Sequence, residues 1–315
     1  MAGANFSLAG KRVFVAGHRG MAGSAILRRL QSEDCETLTV DRLALDLRNQ
    51  SAVEAWMEDK RPDAVFLAAA LVGGIRANST RPAEFLYDNL AVEMNVIHAA
   101  HRVGVSRLLF LGSSCAYPRE AAQPMAESSM LTGPLEPTNE AYAIAKIAGI
   151  KLCEAYHRQY GRHFMSAVPA SLIGPGDRFD AENGHVGAAL VMKFHDAVQR
   201  GADTVELWGT GSPIREFLYV DDLADACVFL MKSLGGGEII NVGSGIEASI
   251  RELAELTARV VGFKGKLSFD TTKPDGMMRK LVDSTRIRAM GWQAATSLEE
   301  SIRRGYEWYL ANSKA

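Results

Sequence analysis

The chain has 315 residues, of which 47% are hydrophobic and 23% are charged, and its formal net charge is −2 at pH 7. This is an ordinary globular composition, with no broad basic surface for nucleic acid and no run of about 18 apolar residues that would predict a membrane span. The N-terminus lacks the apolar core of a secretory signal, and the widely spaced Cys35, Cys115, Cys153 and Cys227 form no zinc-binding or disulfide pattern. We therefore expect a reduced, cytoplasmic protein without a membrane, nucleic-acid or metal partner.

The first half of the chain alternates apolar strands with helices. Strands are predicted at 11–17, 37–40, 64–70, 107–114 and 165–171. Helices are predicted at 21–30, at 51–57 with Ser51 as the capping residue, at 83–103 and at 140–160. Because the strands are apolar nearly throughout, both faces of their sheet must be covered. The alternation requires parallel pairing with right-handed crossovers, so we predict an α/β fold with a doubly wound parallel (Rossmann) sheet that binds ligands at the carboxyl ends of its strands.

A glycine-rich turn joins the first strand to the first helix. Its sequence is Gly17-His-Arg-Gly20-Met-Ala-Gly23. Glycines at this spacing allow a tight turn, close approach to a pyrophosphate and close packing of the helix on the strand, while the helix N-terminus offers free N–H groups. A tight turn without a ligand is the alternative. The position between a strand and a helix at the start of the chain favours a dinucleotide site.

Charged residues near this turn bear on which dinucleotide binds. Asp41 and Arg42 follow the second strand. An acidic residue there typically binds the ribose hydroxyls, whereas an arginine binds a 2′-phosphate. The presence of both leaves NAD and NADP open, and Arg19 in the turn, as a second cation, favours NADP. Either arginine could instead be a plain surface charge, and Asp46 is either a contact to the adenine edge or a turn carboxylate.

The sequence changes character after Gly174. Gly and Pro cluster at 174–176 and 209–213, and the strands become short and scattered. Further helices are predicted at 221–234, 249–261 and 298–310. We therefore expect a dinucleotide-binding domain at 1–174 and, at 175–315, a smaller C-terminal substrate-binding lobe with some segments returning to the main sheet.

The pair Tyr142 and Lys146 carries the strongest chemical signal. Four residues apart on a helix, the two side chains share one face. An ammonium beside a phenol favours the phenolate, so the tyrosine would exchange a proton near neutral pH. An isolated Tyr-x-x-x-Lys is more often a solvated helix face. Here the glycine turn and Ser113, at the end of a strand, accompany it.

These features together resemble the extended short-chain dehydrogenase/reductases, in the branch that acts on nucleotide sugars. The resemblance covers essentially the whole chain and is strengthened by the segments 111–118, 136–140, 143–149 and 215–217. It implies NADP(H) as cofactor, a GDP-linked keto sugar as substrate, and combined oxidoreductase and isomerase activity. It also implies a homodimer formed through the helices at 83–103 and 140–160.

The resemblance implies a role for each catalytic residue. Tyr142 would donate a proton to the oxygen at sugar C4 as hydride arrives, with Ser113 hydrogen-bonded to the same oxygen. Lys146 would lower the pKa of the tyrosine and bind the nicotinamide ribose. Cys115 and His185 would form the acid/base pair that epimerisation beside a ketone needs. Without the resemblance, this cysteine reads as a small buried hydrophobe and this histidine as a surface residue in a polar loop.

The resemblance also implies binding residues. Those for the cofactor are Gly17, His18, Arg19, Gly20, Met21, Ala22, Gly23, Arg42, Leu111, Gly112, Ser114, Lys146, Pro169, Ala170, Ser171, Leu172 and His185. Those for the GDP portion are Lys193, Trp208, Arg215 and Lys280, with Asp275 nearby. A guanidinium can bind two phosphate oxygens at once, and the tryptophan either stacks on guanine or is a core residue. Cys153 and Cys227 are expected in the core.

Position 171 departs from the family pattern. Family members typically carry Asn where Ser171 stands, and often Tyr where Ile173 stands. Serine keeps a hydroxyl but lacks the amide, so a detailed role for this position does not carry over.

Two alternatives remain open at the level of sequence. One is a related nucleotide-sugar epimerase or reductase, for example one acting on a GDP-heptose derivative. The other is a non-catalytic NADP-binding module, which would be expected to have lost Tyr142, Lys146 or Ser113.

Overall fold

A computed structural model describes residues 5–180, 184–273, 275 and 277–313. The strands are β1 (Arg12–Ala16), β2 (Glu36–Leu38), β3 (Ala64–Leu67), β4 (Arg107–Leu111), β5 (His163–Pro169), β6 (Ser171–Ile173), β7 (Thr204–Trp208), β8 (Ile214–Tyr219), β9 (Ile239–Val242), β10 (Glu247–Ser249), β11 (Lys266–Asp270) and β12 (Arg279–Lys280). The helices are α1 (Met21–Leu30), α2 (Gln50–Lys60), α3 (Ile75–Thr80), α4 (Pro82–Arg102), α5 (Glu140–Tyr160), α6 (Val186–Gln199), α7 (Val220–Ser233), α8 (Ile250–Val261), α9 (Thr285–Ala289) and α10 (Leu298–Asn312). One-turn 3₁₀ helices lie at Ser114–Ala116, Glu127–Ser129 and Pro137–Asn139.

A six-stranded parallel sheet forms the centre of the molecule. Its strand order is β2-β1-β3-β4-β5-β9, and β3 and β4 are buried along their whole length. Helix α1 packs with α7, and α4 packs with α5, so helices cover these apolar strands as a parallel sheet requires. The predicted doubly wound parallel sheet is confirmed.

The C-terminal half has a second hydrophobic core. Helices α6, α8 and α10 surround it, with Phe194, Leu253 and Ile302 fully buried inside. Strand β8 pairs with β6, β10 and β12, and β7 pairs with β11. Strand β9 and helix α7 instead join the main sheet and its core. The domain boundary near residue 174 stays a prediction.

Several local predictions differ from the structure. Asn49 caps α2, not Ser51: its side-chain oxygen accepts a hydrogen bond from the Ala52 N–H at 3.1 Å, and the Ser51 hydroxyl donates to the same oxygen at 2.9 Å. The predicted strand at 165–171 is two strands, because the backbone leaves the main sheet after Pro169 and β6 pairs with β8. Helix α6 begins directly after His185, where a polar loop was expected.

The cysteines are free thiols, and Cys153 and Cys227 are buried as predicted. Within the part of the chain that the structure describes, no helix has the length and apolar character needed to cross a bilayer. The predicted cytoplasmic location stays a prediction.

Candidate active site and nucleotide cleft

The turn between β1 and α1 needs glycine at two of its positions. Gly17 has a φ of +88°, and a Cβ there would lie 2.6 Å from the Ala69 nitrogen. A Cβ on Gly23 would overlap the carbonyl oxygen of Gly17. Gly20 is the N-cap of α1, and its N–H donates to the Gly17 carbonyl at 3.0 Å. The close packing of strand, turn and helix leaves the N-terminus of α1 open at the carboxyl edge of the sheet, where a phosphate binds favourably.

A pocket of about 260 Å³ adjoins this turn. Its walls come from residues 17–20, from the segment after β2 and from residues 68–71 after β3. The pocket therefore lies at the carboxyl ends of adjacent parallel strands, which is where open α/β sheets bind nucleotides.

Charged side chains surround the mouth of the pocket. Arg19 forms two contacts of 2.8 Å with the Asp41 carboxylate, and His18 Nε2 lies 3.3 Å from the same carboxylate. Arg42 is exposed and lines the pocket. Because Arg19 and Asp41 offset each other's charge, Arg42 is the residue whose positive charge makes this end of the pocket suited to a phosphate.

Asp46 is fixed as a turn carboxylate. Arg48 donates to it from its backbone N–H at 3.0 Å and from its guanidinium at 2.7 Å, and these hydrogen bonds lower the pKa of Asp46 to about 2. Arg48 also bridges to Asp88 at 3.1 Å. The carboxylate lines the pocket, and a contact with an adenine edge stays a prediction.

Tyr142 and Lys146 lie on the buried face of α5, beyond the end of β4. The Lys146 ammonium donates to the Leu111 carbonyl at 3.0 Å, pairs with Glu93 at 3.1 Å and lies 4.6 Å from the centre of the Phe110 ring. It lies 5.8 Å from the centre of the Tyr142 ring. Three independent contacts thus hold the ammonium in one place next to the tyrosine.

The pKa of Tyr142 lies above its ordinary value, mainly because the side chain is buried. The negative charges of Cys115 and Glu93 raise it further, while the hydrogen bond with Ser113 opposes the shift. Lys146 is not among the groups that shift this pKa, and its ammonium is paired with Glu93, so the expectation that Lys146 lowers the pKa of the tyrosine stays a prediction. The phenol stays protonated, which is the form that donates a proton.

Cys115 lies in the one-turn helix that follows β4. Its backbone N–H donates to the Ser113 hydroxyl at 3.2 Å. Its sulfur accepts a hydrogen bond from the Asn139 amide at 3.2 Å and one from the Lys280 ammonium at 3.5 Å. The sulfur of this half-buried thiol therefore lies between an amide and an ammonium, and its role as the base of epimerisation stays a prediction.

His185 is the N-cap residue of α6. Its Nδ1 lies 3.5 Å from the buried Asp177 carboxylate. The hydrogen bond with Asp177 is the main cause that raises the pKa of His185, against the opposing effects of burial and of the Lys280 charge. Lys280 contacts the thiol of Cys115, and its charge also acts on His185, while the convergence of the thiol and the imidazole on one substrate stays a prediction.

The residues predicted to hold GDP lie in two groups, one around Trp208 and one on β8 and β12. The Trp208 ring is 68% exposed, which excludes the core alternative, and the Lys193 ammonium lies 6.0 Å from its centre. Asp275 accepts hydrogen bonds from the Thr210 N–H at 2.9 Å and from its hydroxyl at 2.7 Å, so it organises the loop after β7.

Arg215 and Lys280 form the other group. They are register partners on β8 and β12. Burial lowers the pKa of Arg215, whose guanidinium donates to the Ile214 carbonyl at 2.8 Å. Lys280 reaches the thiol of Cys115 instead of facing the tryptophan group, and its predicted contact with GDP is not evident from this geometry.

The remaining residues predicted for the cofactor lie where strands of the main sheet end and helices begin. Gly112 donates to the Ala167 carbonyl and Ala170 to the Val242 carbonyl, each at 2.9 Å. The other positions are Met21 and Ala22 in the first turn of α1, Ser114 after β4, Pro169 at the end of β5, and Ser171 and Leu172 in β6. Their contacts with a cofactor stay predictions.

Three residues of the site were not found from the sequence: Glu93, Asp177 and Asn139. Glu93 had a usable signal, because Asn89, Glu93 and Ile97 are spaced by four on the buried face of α4, where a carboxylate is unexpected. Asp177 and Asn139 lie in loops, and no periodicity marks them.

The chain belongs to the NAD dependent epimerase/dehydratase family, whose model matches residues 13–243. This match agrees with the parallel sheet, the glycine turn and the paired tyrosine and lysine.

The similar proteins are more specific than the family. A GDP-L-fucose synthase of Sinorhizobium fredii is 55% identical over 307 residues, which is 98% of each chain. The GDP-L-fucose synthase of Escherichia coli is 52% identical over 96% of this chain and 97% of its own. A GDP-L-colitose synthase of Yersinia pseudotuberculosis is 36% identical over 95% of this chain and 98% of its own.

Solved structures agree with these relatives. A GDP-L-fucose synthetase of Naegleria fowleri bound to NADP superposes with a TM-score of 0.91 at 27% identity, covering 100% of this chain and 99% of the other. A GDP-6-OMe-4-keto-L-xylo-heptose reductase of C. jejuni superposes with a TM-score of 0.89 at 34% identity, covering 98% and 99%.

Proposed function

We propose that this protein is a GDP-L-fucose synthase, which epimerises C3 and C5 of GDP-4-keto-6-deoxy-D-mannose and reduces C4 with NADPH. The observation that carries the proposal is the thiol of Cys115, held between Asn139 and Lys280 two residues after Ser113. Simple reduction of a ketone needs the tyrosine, serine and lysine. A thiol in contact with an ammonium, together with the imidazole of His185, would supply the two groups that epimerisation needs in addition.

The nucleotide cleft fits NADP(H), which supplies the hydride for reduction at C4. The turn excludes a Cβ at Gly17 and Gly23, which leaves the backbone able to approach a pyrophosphate. Arg42 would hold the 2′-phosphate together with Arg19, whose charge is shared with Asp41. The shape of the turn suits the pyrophosphate of NAD and NADP alike, and the positive charge of Arg42 favours the phosphorylated dinucleotide.

Epimerisation requires one group that removes a proton next to the ketone and another that returns it on the opposite face. Cys115 would be the base, because its sulfur lies 3.5 Å from the Lys280 ammonium and 3.2 Å from the Asn139 amide, next to Ser113 in the chain. His185 would be the acid, because Asp177 favours the imidazolium. Ser113 and the neutral phenol of the neighbouring tyrosine would donate hydrogen bonds to the C4 oxygen, which stabilises the negative charge that develops there after each proton is removed.

Reduction then uses the same carbonyl oxygen. Tyr142 would transfer its proton to the C4 oxygen as hydride reaches the carbon, so the product leaves with a neutral hydroxyl. Its raised pKa keeps the phenol protonated before this step. Lys146, anchored by Glu93 and the Leu111 carbonyl, would hold the hydroxyls of the nicotinamide ribose.

The test is incubation with GDP-4-keto-6-deoxymannose and NADPH in deuterated water, with the product identified by NMR. GDP-L-fucose carrying deuterium at C3 and C5 is the expected product. The variant Cys115→Ser should lose deuterium incorporation and keep NADPH oxidation by direct reduction of the ketone. A wild-type product with its original C3 and C5 configurations would refute the proposal.

A related GDP-keto sugar is the second candidate substrate. The structural similarity to a GDP-heptose reductase favours this candidate. Competition between GDP-4-keto-6-deoxymannose and a GDP-4-keto-heptose, scored by kcat/KM, separates the two. The non-catalytic module is disfavoured because Ser113, Tyr142 and Lys146 are all present and in contact with partners.

We also propose a homodimer formed through α4 and α5. Their outer faces expose Tyr87, Met94, Ile144 and Tyr160. Large apolar side chains concentrated on two adjacent helices are typical of an interface. Light scattering after gel filtration should give a dimer for the wild type, and Met94→Glu should shift the mass toward one chain. A wild-type monomer would contradict this proposal.

A further inference from the structure

Asp177 is a buried carboxylate that no pattern in the sequence marks. It follows the turn Gly174-Pro-Gly176 at the end of β6, and its side chain is 4% exposed. One oxygen accepts the Arg178 N–H at 2.7 Å and lies 3.5 Å from His185 Nδ1. The other oxygen, Oδ2, is buried and has no hydrogen-bond partner in the described part of the chain. Burying a carboxylate with so little compensation is costly, so its position calls for a reason beyond folding.

The backbone holds this carboxylate in a defined place. Gly176 has a φ of +79°, and a Cβ there would lie 3.4 Å from the Cα of Met21, at the start of α1. The turn is therefore packed against the helix that begins the nucleotide cleft. On the other side, His185 begins α6 with an extended backbone and no side-chain cap. The turn that carries Asp177 therefore contacts the start of α1 through Gly176 and the start of α6 through the Asp177 side chain.

Two opposite charges accompany the two groups proposed for epimerisation. Among the described residues, the charged groups that act on His185 are Asp177, which favours the imidazolium, and Lys280, which disfavours it. Lys280 is itself in contact with the sulfur of Cys115. The cation therefore lies next to the thiol and the anion next to the imidazole, an arrangement that distinguishes the base from the acid before any substrate binds.

We infer that Asp177 is a positioning residue that accepts the Nδ1 proton of His185 and thereby presents Nε2 as the proton donor in epimerisation. The inference deepens the proposed function and rests on it for the identity of the reaction. A histidine whose one nitrogen is held by a carboxylate has a defined tautomer and ring orientation, and loss of such a partner typically costs about 10–100-fold in activity. Asp177 itself does not touch the reacting atoms.

The first test does not depend on turnover. Histidine labelled with ¹⁵N in the NADP-bound protein reports the tautomer and the titration of His185, with the resonance assigned by its loss in His185→Gln. In Asp177→Asn we expect His185 to titrate at lower pH and to lose its preference for a protonated Nδ1. The same titration and tautomer in the wild type and in Asp177→Asn would overturn the inference, even if the protein acted on another sugar.

The second test separates the two half-reactions. Asp177→Asn should form the epimerised product about 10–100-fold more slowly, with the basic limb of the pH profile moved to lower pH and the KM for NADPH unchanged. Asp177→Glu should recover part of the rate.

Asp222→Asn is the matched control, because Asp222 on α7 accepts hydrogen bonds from the N–H and the hydroxyl of Thr296 and has no described contact with the residues proposed for catalysis. This control variant should leave the pH profile of the epimerisation rate unchanged. If Asp177→Asn has the same pH profile as the wild type, the positioning role of Asp177 is refuted. If the wild type reduces the ketone without epimerising the sugar, the proposed function is refuted. The NMR test would then still decide whether Asp177 sets the tautomer of His185.

Discussion

Replacing Lys146 by methionine should destabilise the fold strongly, because it leaves Glu93 buried without a cation. Both side chains of this ion pair are almost fully buried, at 3% and 1% exposure. At the observed 3.1 Å, Coulomb's law gives an attraction of about 5 kcal/mol for an effective dielectric constant of about 20. Removing one partner of a buried pair typically costs about 3–5 kcal/mol. We expect Lys146→Met to lower the free energy of unfolding by this amount at about pH 8.

The loss should depend on pH in a defined direction. Burial raises the pKa of Glu93 above its ordinary value, and Lys146 opposes that shift. Without the lysine the pKa rises further, so the folded variant holds a proton that the unfolded chain releases. Stability is then retained below the unfolded pKa of Glu93 and lost as pH rises toward the folded one. The cost of Lys146→Met should therefore be smaller at about pH 5.5 than at about pH 8.

Urea denaturation of the variants, followed by fluorescence, measures the effect. Lys151→Met on the same helix is the control, because Lys151 pairs with Glu154 at the surface and should cost no more than about 0.5 kcal/mol. Adding Glu93→Gln to Lys146→Met should restore about 1–3 kcal/mol, since the remaining buried group is then neutral. A cost below about 1 kcal/mol at about pH 8, or the same cost at both pH values, would refute the reasoning.

Three further predictions concern packing, proton transfer and cofactor choice. Gly149→Ala places a Cβ 2.6 Å from a ring carbon of Phe110 and should lower the free energy of unfolding by about 1–3 kcal/mol in urea, because neither side can yield easily. Tyr142→Phe removes the proton donor and should slow NADPH oxidation by about 10²–10⁴-fold, while deuterium exchange at C3 and C5 persists in the NMR assay. Arg42→Ala removes a cation from the nucleotide pocket and should weaken NADPH by about 10–100-fold in calorimetry, with little change for NADH.

Each of these predictions has a control or a contrary outcome. Gly305→Ala, whose Cβ would find its nearest neighbour at 3.4 Å, should be neutral or gain up to about 1 kcal/mol from helix propensity. Loss of deuterium exchange in Tyr142→Phe would mean that the phenol is needed for enolisation as well as for reduction. Equal weakening of NADPH and NADH in Arg42→Ala would remove the argument that this arginine selects the 2′-phosphate.

Much of the main sheet could be predicted because parallel strands are buried on both faces. The run Val13–Ala16 is fully apolar, and a local pattern of this kind needs no knowledge of the rest of the chain. The glycine turn, Ser113 and the tyrosine–lysine pair were also readable, because their spacings follow from the local geometry of a turn and a helix.

The remaining features depend on tertiary partners. Helix α6 was missed because its first half is apolar on nearly all sides and contains Gly187, so no polar face marks it, and it is stabilised by packing on α8. The change of sheet after Pro169 depends on β8, which lies far along the chain and supplies the partner for β6. The burial of Tyr142, which is the main cause of its raised pKa, and the pairing of Lys146 with Glu93 both depend on how two long helices pack, so neither could be read from a spacing of four residues.

The contact between Lys280 and Cys115 joins residues separated by 165 positions in the chain. Strand β12, which carries this lysine, is two residues long and is held by its pairing with β8. During synthesis, this ammonium is therefore translated after every strand of the main sheet, the last of which is β9. A chain truncated before β12 would be expected to keep all six strands of that sheet and to lack the cation next to the sulfur.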